Sequence, residues 1–412
     1  MLNSRQFEQV KALLHRLEKN SGFYKIKFNE TGFKADDFQN PEDFEKLPFS
    51  DKTDLRKAYP LGLQAVPDED IIRIHSSSGS TGTPVIIPYT RQDVADWSEM
   101  MERCFRLAGL TKLDRVQITP GYGLWTAGIG FQTGVERLGA MAVPMGPGNT
   151  EKQLQMMQDL KSTVLISTSS YALLIAEEIE KRGIKDKIHL KRGIIGSERW
   201  GDKMRARIES SLGIEMFDIY GLTEIYGPGI SIDCHQHSGM HYFDDYLYFE
   251  VIDPDTLKPL PAGETGELVI TTLAKQGAPL LRYRTHDITR LIPGECPCGC
   301  KFPRHDRIVG RTDDMVKVKG VLIYPAQVDK LLASIDGASS EYQIIIDHKD
   351  GKDVLTLNVE IDDVDNSMNM AAKIADEFKA KIGIKVVCIP CAVGQLPRNT
   401  GKTKRVFDNR VG

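Results

Sequence analysis

A run of small hydroxyl and glycine residues carries the strongest local chemical signal in the chain. The tract His75-Ser-Ser-Ser-Gly-Ser-Thr-Gly-Thr-Pro84 follows the strand-like Ile71-Ile-Arg-Ile74. Glycines let a backbone approach an anion closely, and the hydroxyls add donors to the backbone N–H groups, so the tract suits phosphate. It is not a Walker A motif, because no Gly-Lys-Ser/Thr closes it. The alternative is a flexible linker, against which the preceding strand and the following apolar Val85-Ile-Ile87 count.

Two further motifs supply groups that a nucleotide could use. In Tyr220-Gly-Leu-Thr-Glu224 the tyrosine ring can stack on a base, the threonine hydroxyl can hold a phosphate, and the glutamate can ligate Mg²⁺. In Tyr283-Arg-Thr-His-Asp287 a carboxylate falls at a predicted strand end, where it could accept both ribose hydroxyls. Taken alone, the first motif is also compatible with an ordinary strand end, and Asp287 with a structural aspartate in a turn.

The cysteines suggest a metal site. The chain has seven, an odd number that suits no disulfide framework, and three of them crowd into Cys296-Pro-Cys-Gly-Cys300. Two nearby thiolates with a distant cysteine and histidine make a plausible tetrahedral Zn²⁺ set, closed and therefore structural. The preferred ligands are Cys234, His241, Cys296 and Cys298, with His235, His237 or Cys300 as possible substitutes. Free buried thiols are the alternative.

The elements that must position these residues alternate between short apolar runs and helical segments from about 91 to 215. That pattern predicts parallel strands with crossover helices, with strands near 116–118, 164–166, 192–195 and 216–219 and helices near 91–108, 151–161 and 170–182. Earlier helices are predicted at 3–19 and 51–58. From 245 to 293, strands and turns alternate at 246–252, 266–272 and 288–292, which indicates antiparallel pairing.

The last hundred residues predict a small mixed unit. Strands are expected at 315–319, 342–347, 354–361 and 385–389, and helices at 326–335 and 366–382. The predicted fold class is therefore α/β: a large N-terminal α/β body with parallel sheets and an antiparallel subdomain, plus a small C-terminal α+β lid domain. The expected domains are residues 1–312 and 313–412.

Composition excludes several classes of function. The chain has 412 residues, 41% of them hydrophobic and 27% charged, with a formal charge of −4. A near-neutral protein has no broad cationic field, which argues against nucleic acid and membrane surfaces as partners. No stretch approaches the length of a transmembrane helix, and the N-terminus lacks the uninterrupted apolar core of a signal peptide. The expected localisation is cytoplasmic.

The order of six motifs resembles the adenylate-forming acyl-CoA synthetase superfamily, and within it the phenylacetate–CoA ligase family. The resemblance extends over essentially the whole chain. It is reinforced by the short length, by Thr-His-Asp where most relatives have Thr-Gly-Asp, by Cys-Pro-Cys-Gly ahead of the hinge and by Tyr122-Gly-Leu-Trp125. The six motifs are Ser77-Ser-Gly-Ser-Thr-Gly-Thr-Pro84, Gly196-Ser-Glu198, Tyr220-Gly-Leu-Thr-Glu224, Tyr283-Arg-Thr-His-Asp287, Gly310-Arg-Thr-Asp-Asp-Met-Val-Lys-Val-Lys-Gly320 and Leu396-Pro-Arg-Asn-Thr-Gly-Lys-Thr-Lys-Arg405.

The resemblance implies a role for each matching residue in binding ATP. The phosphate loop would hold the β- and γ-phosphates, the Gly-Ser-Glu segment would line the adenine pocket with Tyr220 stacking on the base, and Asp287 would hold the ribose together with Arg311. The implied ATP and AMP contacts are Ser76, Ser77, Ser78, Gly79, Ser80, Thr81, Gly82, Thr83, Gly196, Ser197, Glu198, Tyr220, Gly221, Thr223, Asp287 and Arg311.

The resemblance also implies the chemistry. A carboxylate would attack ATP to give an acyl-adenylate, and a thiol would then displace AMP. Thr223 would bind the α-phosphate, Glu224 would coordinate Mg²⁺, and Lys402 would stabilise charge at the α-phosphate, since two anions must approach each other. Asp313 would be the hinge about which the C-terminal domain rotates between the half-reactions. Without the resemblance, Lys402 would be taken as a solvated lysine in a basic tail.

The implied activity is an ATP-dependent aryl carboxylate–CoA ligase acting on phenylacetate, which would place the protein in phenylacetate catabolism. Its acyl pocket is expected at Tyr122, Gly123, Trp125, Ala127 and Gly128, which could equally be core packing on a glycine-rich helix. ATP, Mg²⁺, coenzyme A and a structural Zn²⁺ are the expected cofactors and substrates, and a homodimer is possible. The alternatives are a ligase for another aryl or short acyl acid, an adenylyltransferase related to deazaflavin-cofactor adenylyltransferases, and a non-catalytic acyl or nucleotide sensor.

Overall fold

The structure is a computed structural model that describes residues 2–77, 82–198, 200–314, 316–349, 352–398 and 404–410 of the chain. Many helices begin where a side chain accepts a hydrogen bond from the first turn. At the first helix Asn3 and Gln6 cap each other reciprocally, and Thr90 and Asp93 do the same at the fourth. The helices are α1 Ser4–Asn20, α2 Gly22–Thr31, α3 Lys52–Lys57, α4 Arg91–Leu107, α5 Ala127–Leu138, α6 Thr150–Asp159, α7 Ser169–Arg182, α8 Asp202–Leu212, α9 Pro325–Ala333 and α10 Ser367–Ile382.

The strands fall into an N-terminal group and a C-terminal group. The first group is β1 Ile71–Ser76, β2 Ile86–Thr90, β3 Arg115–Ile118, β4 Met141–Pro144, β5 Val164–Thr168, β6 Arg192–Gly196, β7 Glu215–Leu222, β8 Gly227–Asp233, β9 Met240–Tyr242, β10 Leu247–Ile252, β11 Gly266–Thr272, β12 Tyr283–Thr289, β13 Leu291–Ile292, β14 Arg304–His305 and β15 Gly310–Arg311. The second is β16 Val316–Val318, β17 Val321–Ile323, β18 Ala338–Lys349, β19 Lys352–Ile361, β20 Val387–Ala392 and β21 Val406–Asp408.

The largest sheet confirms the predicted parallel strands. Its order is β13-β14-β9-β8-β7-β6-β5-β3-β4, and the strands from β7 to β4 are parallel. Alternate residues of each strand face opposite layers of helices. Val164 and Ile166 join a core with α4 and α5, whereas Leu165 joins a core with α7 and α8. The carboxyl ends of these strands therefore open on one edge, which is where the motifs lie.

The antiparallel subdomain is also confirmed, with order β10-β11-β12-β15. Helices α1 and α2 pack beside it. Two details of the prediction are wrong. The strand expected at 288–292 is split, because the chain leaves one sheet at Thr289 and joins the other as β13. Asp287 accordingly lies within β12 rather than at its end, with Arg311 opposite it in β15.

The C-terminal part forms a second, smaller core. A hairpin of β16 and β17 leads to a sheet of order β20-β19-β18-β21, against which α9 and α10 pack. This confirms the predicted α+β unit, while the boundary expected between residues 312 and 313 stays a prediction. Helices α2 and α8 were missed by sequence reasoning. In α2 apolar and polar residues are spread around the helix, so it lacks an apolar face. Among the described residues, every helix is too short or too polar to cross a membrane.

Candidate active site

The predicted phosphate loop joins two paired strands. β1 and β2 are antiparallel, and Ser77 closes the loop by donating its N–H to Val85 O and accepting Val85 N–H at Oγ, both at 3.0 Å. Ser76 N–H donates to Leu124 O (2.8 Å), which ties the loop to the segment before α5. These contacts favour an anchored loop over a free linker. Gly82 and Thr83 follow on the β2 side. Ser78, Gly79, Ser80 and Thr81 lie outside the described residues.

Three strands bring four of the predicted residues together in what we call the ribose corner: Tyr220, Asp287, Arg311 and Asp313. Tyr220 Oη donates to Asp287 Oδ2 at 2.6 Å, and Arg311 Nη1 donates to Asp287 Oδ1 at 2.8 Å. Arg311 also donates two hydrogen bonds to the expected hinge residue, from Nε to Asp313 Oδ1 (2.8 Å) and from Nη2 to Asp313 Oδ2 (2.9 Å). The nucleotide motifs and the hinge motif are thus one hydrogen-bonded unit.

In the ribose corner, burial and neighbouring charges have opposite effects on the pKa of Asp287 and of Arg311. Burial raises the pKa of the Asp287 carboxyl, and the adjacent Arg311 guanidinium works to lower it. Burial and the nearby Asp287 charge raise the pKa of Tyr220, so its phenol stays protonated and donates. The Asp287, Asp313 and Asp314 carboxylates raise the pKa of Arg311 against the opposing effect of burial. A carboxylate so placed remains an acceptor with lone pairs to spare.

The backbone of His286 lies in a region that favours glycine, the residue that the family resemblance leads us to expect between Thr285 and Asp287. Its φ of 64° lies in the left-handed region, where glycine is free of strain and histidine is tolerated. The side chain offsets this cost through Nδ1, which lies 3.0 Å from Thr312 Oγ1 and 3.4 Å from Glu267. His286 therefore fastens the strand of Asp287 to the segment that follows Arg311.

The Thr223-Glu224 pair, predicted to bind phosphate and Mg²⁺, follows the end of β7, and this strand continues further than predicted. Strand pairing extends to Leu222 because Gly221 lets the next strand approach: a Cβ there would lie 1.9 Å from Gly227 O. Beyond it, Thr223 Oγ1 lies 3.4 Å from Thr126 Oγ1, and Glu224 is buried with its Oε1 3.1 Å from Lys52 Nζ. A buried carboxylate with one cationic neighbour fits the hard oxygen ligand that Mg²⁺ prefers.

The predicted adenine-lining segment leaves β6 next to β7. Gly196 ends β6, Ser197 has a φ of 71°, and Glu198 accepts hydrogen bonds from Ser169 Oγ (2.7 Å) and Ser170 N–H (3.0 Å). Glu198 thereby binds the N-terminus of α7, which fixes the loop. Asp218 lies two residues before Tyr220 on the same face of β7, and burial, with help from the Asp233 charge, raises its pKa to about 6.

The predicted acyl-pocket residues surround the first turn of α5. A Cβ on Gly128 would lie 2.7 Å from the Tyr122 ring, so glycine there allows the ring to lie against the helix. The Tyr122 hydroxyl is buried without a hydrogen-bond partner among the described residues. Gly123 adopts a φ of 88°, Trp125 is half-buried and Ala127 is buried in the main core. The geometry places aromatic and small residues together, as expected, and their role in binding the acid stays a prediction.

A separate group, which we call the thiol cluster, consists of Cys234, His241, Cys296 and Cys298. One ligand atom from each lies within 4.8 Å of all the others. Cys234 Sγ is 3.8 Å from Cys296 Sγ, and Cys298 Sγ is 3.3 Å from His241 Nε2. These are the four residues preferred from the sequence. Cys300 instead donates its N–H to Cys298 Sγ (3.4 Å), while His237 faces Asp233 at 3.0 Å.

The spacing of the thiol cluster fits a tetrahedral ion. Zn–S bonds of about 2.3 Å set two sulfurs of one tetrahedron about 3.8 Å apart, which is the separation observed. His241 Nδ1 lies 2.9 Å from Phe302 O, so that nitrogen carries the proton as a donor and Nε2 presents its lone pair to the cluster. The orientation of the imidazole is thus the one that metal ligation needs.

Sequence reasoning missed Lys52 and Thr126, which lie next to Glu224 and Thr223, and Asp218, which lies two residues before Tyr220 in β7. Lys52 and Thr126 reach the Thr223-Glu224 pair from distant parts of the chain, and nothing in the local sequence marks them. Asp218 could have been found from the two-residue period of a strand, since it shares a face with Tyr220. The expected catalytic residue Lys402 lies outside the described residues.

Comparisons with known proteins agree with this geometry. The family model described as AMP-binding enzyme matches residues 9–274, and that of the AMP-binding enzyme C-terminal domain matches residues 320–410. A phenylacetate-coenzyme A ligase of Pseudomonas putida is 39% identical over 418 residues, which cover 100% of this chain and 94% of that protein.

Two solved structures of one protein differ in how well they match. A 2-hydroxyisobutyryl-CoA ligase in the postadenylation state, in complex with R3-HIB-AMP, has a TM-score of 0.88 at 26% identity and covers 98% of this chain and 89% of that one. The same protein with 2-HIB-AMP and CoA in its thioesterification state has a TM-score of 0.71 at 27% identity, with 98% and 88% covered. The arrangement of this chain is therefore closer to the postadenylation state.

Proposed function

Since the chain belongs to the AMP-binding enzyme family, we propose that it is an AMP-forming acid–CoA ligase whose acid is phenylacetate. The observation that carries the proposal is the ribose corner, because it joins Tyr220, Asp287 and Arg311 beside the Thr223-Glu224 pair. Full-length similarity to a phenylacetate-coenzyme A ligase supports the choice of acid.

In the first half-reaction, a carboxylate oxygen of the acid attacks the α-phosphorus of ATP and diphosphate leaves. Thr223 binds the α-phosphate, and residues 76–83 hold the β- and γ-phosphates through hydroxyl and N–H donors. Glu224 holds Mg²⁺, which when bound offsets the negative charge of the phosphates. Lys402 stabilises the charge that develops at the α-phosphate; this role rests on its motif.

The ribose corner leaves room for the nucleotide. A carboxylate offers about four lone-pair positions, and Tyr220 and Arg311 occupy two of those on Asp287. Two positions remain for the 2′- and 3′-hydroxyls of the ribose. Tyr220 stacks on the adenine, and Gly196, Ser197 and Glu198 line the same pocket.

In the second half-reaction, the sulfur of CoA attacks the acyl carbon and AMP leaves. The thiol must reach the carbonyl from another side, which rotation of the C-terminal domain about Asp313 provides. Two observations support a rotation there. Asp313 is held by Arg311 from the nucleotide site, and the chain matches two states of one relative to different extents, with TM-scores of 0.88 and 0.71.

The acyl group binds near the first turn of α5. Tyr122 and Trp125 offer flat apolar faces, and Gly128 leaves space beside the Tyr122 ring. Such a mixture of aromatic and small residues suits a planar aryl group. The methylene of phenylacetate separates its ring from its carboxylate, so the ring can enter this pocket while the carboxylate faces the α-phosphate.

The thiol cluster binds one structural Zn²⁺. Three cysteines and one histidine close a tetrahedron and leave no position for a substrate. Cys234, His241, Cys296 and Cys298 would hold the ion, which would join the segment after β8 to the loop before β14 in the sheet that also carries Tyr220. Its contribution is to stability, and the reaction does not pass through it.

Diphosphate release with Mg·ATP, measured across aryl and short aliphatic acids with and without CoA, tests the proposal. Phenylacetate should drive release most efficiently, and CoA should carry the reaction to thioester and AMP. If another acid ranks first, the substrate is reassigned within the same reaction. If release proceeds but CoA changes nothing, the protein is an adenylyltransferase. If no acid of the panel drives diphosphate release, the proposed ligase activity is contradicted.

A further inference from the structure

Buried side chains donate hydrogen bonds to the backbone carbonyls of the segment that follows Glu224. Four carbonyls between residues 225 and 229 each accept a hydrogen bond from a buried side-chain donor, and these donors come from β2, α4 and the loop after β11. The pairs are Lys275 Nζ to Ile225 O, Tyr89 Oη to Tyr226 O (2.8 Å), Trp97 Nε1 to Pro228 O (2.8 Å) and Cys104 Sγ to Gly229 O (3.3 Å). We call this set the carbonyl brace.

Lys275 is the unusual member of the brace. Its side chain is fully buried, and Nζ lies 4.4 Å from the centroid of the Tyr89 ring and 4.7 Å from that of Tyr226. Asp93 and Glu224 are the carboxylates whose charges act on it, yet neither forms an ion pair with it in the described part of the chain. Two aromatic faces and one carbonyl are its immediate surroundings.

The loop that carries Lys275 is itself fixed. Arg16 Nη2 donates to Lys275 O at 2.6 Å. On the other side, the N–H groups of Gln276 and Gly277 donate to Asp93 at 2.6 and 2.8 Å. Lys275 therefore presents its ammonium group from a rigid backbone, so the position of Ile225 is determined by the body of the protein.

A buried lysine without a carboxylate partner is costly in a core, and burial lowers the pKa of the Lys275 amino group to about 7. Removing a charge from water costs several kcal/mol, whereas an apolar side chain of similar volume at such a position is often neutral or stabilising. Stability alone would therefore favour methionine at position 275. Buried polar side chains that cost stability are common at functional sites, where they hold other residues in the positions that function requires.

We propose that Lys275 is a positioning residue for Glu224: by holding the carbonyl of Ile225, the next residue, it fixes the carboxylate that binds Mg²⁺. The inference rests on the proposed function, since it takes Glu224 as the metal ligand. Lys275 reaches no substrate atom itself. Lys52, 3.1 Å from Glu224 Oε1, holds the carboxylate end, and Lys275 holds the backbone end.

The test compares Lys275→Met with Lys258→Met, a matched loss of a lysine in an exposed turn. Mg·ATP binding is measured by calorimetry without acid, and diphosphate release is measured against Mg²⁺ concentration at fixed ATP. Lys275→Met should raise the Kd for Mg·ATP and the Mg²⁺ requirement about tenfold, as the loss of one charge-assisted hydrogen bond implies. The KM for the acid should stay within about twofold of wild type, because a misplaced metal ligand affects the metal and not the acyl pocket.

An unchanged Kd and Mg²⁺ requirement in folded Lys275→Met overturns the inference, whatever happens to its melting temperature. If Lys275→Met does not fold, Tyr89→Phe removes the next bond of the brace and keeps the ring beside Lys275. It should raise the Mg²⁺ requirement about two- to threefold, and no change contradicts the inference. If wild-type protein binds Mg·ATP but activates no acid, the proposed function is contradicted, while the inference about Lys275 is still decided by the Kd for Mg·ATP.

Discussion

The ribose corner and the thiol cluster both gather reactive side chains from distant parts of the chain, but they balance charge in opposite ways. In the ribose corner, Asp287 and Arg311 face each other at 2.8 Å, and Tyr220 and Asp313 complete the hydrogen bonds. In the thiol cluster, four ligand atoms converge within 4.8 Å and face mainly one another. The first arrangement is stable as protein alone. The second is suited to a cation, and in the proposed zinc site the ion would offset the repulsion between converging thiolates.

Loss of the metal should give the largest effect. Cys296→Ser removes one ligand of the thiol cluster, and we expect the variant to retain far less than one equivalent of zinc and to lose about 4 kcal/mol or more of unfolding free energy. Metal analysis and denaturant unfolding measure both. Cys300→Ser is the matched control, since Cys300 lies outside the four ligands and should keep its zinc. Wild-type protein purified without zinc, or full zinc in Cys296→Ser, would contradict a metal site.

A substitution in the ribose corner should weaken the binding of ATP more than it destabilises the fold. Asp287→Asn removes the charge between Tyr220 and Arg311 and replaces one acceptor with a donor. We expect the KM for ATP to rise about 10- to 150-fold, which corresponds to about 1.5–3 kcal/mol for a charged hydrogen bond. Asp306→Asn, in an exposed pair with Arg290, should change it less than about twofold. Equal effects of the two variants on the KM would show that the corner does not bind ribose.

A smaller effect, on unfolding stability and only at low pH, is expected at Glu267, which lies beside the ribose corner. Burial works to raise the pKa of Glu267, but hydrogen bonds from His286 and Arg284 lower it to about 2 from its ordinary 4.5. A carboxyl with a lowered folded-state pKa stabilises fully above about pH 4.5, and that stability is lost as the pH falls toward 2. The stability gap between wild type and Glu267→Gln should therefore narrow through this window. A gap that is constant from pH 7 to 3 would refute the assignment.

The smallest effect should come from the contact between the two halves of the chain. Lys203 Nζ donates to three carbonyls at the end of α9, those of Leu332, Ile335 and Ala338, at 2.7–3.0 Å. Lys203→Met should weaken docking by about 1–2 kcal/mol. Small-angle scattering should then show a larger share of extended molecules, and adenylation should slow more than thioester formation.

Lys185→Met is the control for docking, since Lys185 donates to Ser210 O within the N-terminal body. If the two lysine variants scatter alike and keep the same ratio of half-reaction rates, the contact of Lys203 does not hold the observed arrangement. Arg398, which donates to Glu177 of α7 at 3.1 Å, would then be the next contact to examine.

Sequence reasoning succeeded where the signal is local. The alternation of apolar runs and helices predicted the parallel strands. The family resemblance implied that Tyr220, Asp287 and Arg311 share a nucleotide site, and the structure places them in contact, while their roles stay a prediction. The thiol cluster could be predicted because cysteine and histidine are rare and chemically specific. The sequence left His235, His237 and Cys300 as possible substitutes, and the structure brings together the ligand atoms of the four preferred residues.

Sequence reasoning failed where a role depends on long-range packing. Lysine is common on surfaces, so nothing in the local sequence distinguishes Lys52 or Lys275, which reach the segment of Glu224 only after folding. The position of Asp287 within β12 was missed because Arg311, its neighbour in β15, follows a long connection. Strand β7 was predicted too short, since glycine commonly ends strands, whereas Gly221 continues this one by allowing close approach.

The decisive step of the proposed reaction is attack of the acid on the α-phosphorus of ATP in this site. Phenylacetate labelled with ¹⁸O in its carboxylate, incubated with Mg·ATP and CoA, tests it through mass analysis of the products. We expect one labelled oxygen in AMP and none in diphosphate for each thioester formed, because the attacking oxygen stays on phosphorus when sulfur takes the acyl group. Label in inorganic phosphate, or thioester formed with unlabelled AMP, would contradict it.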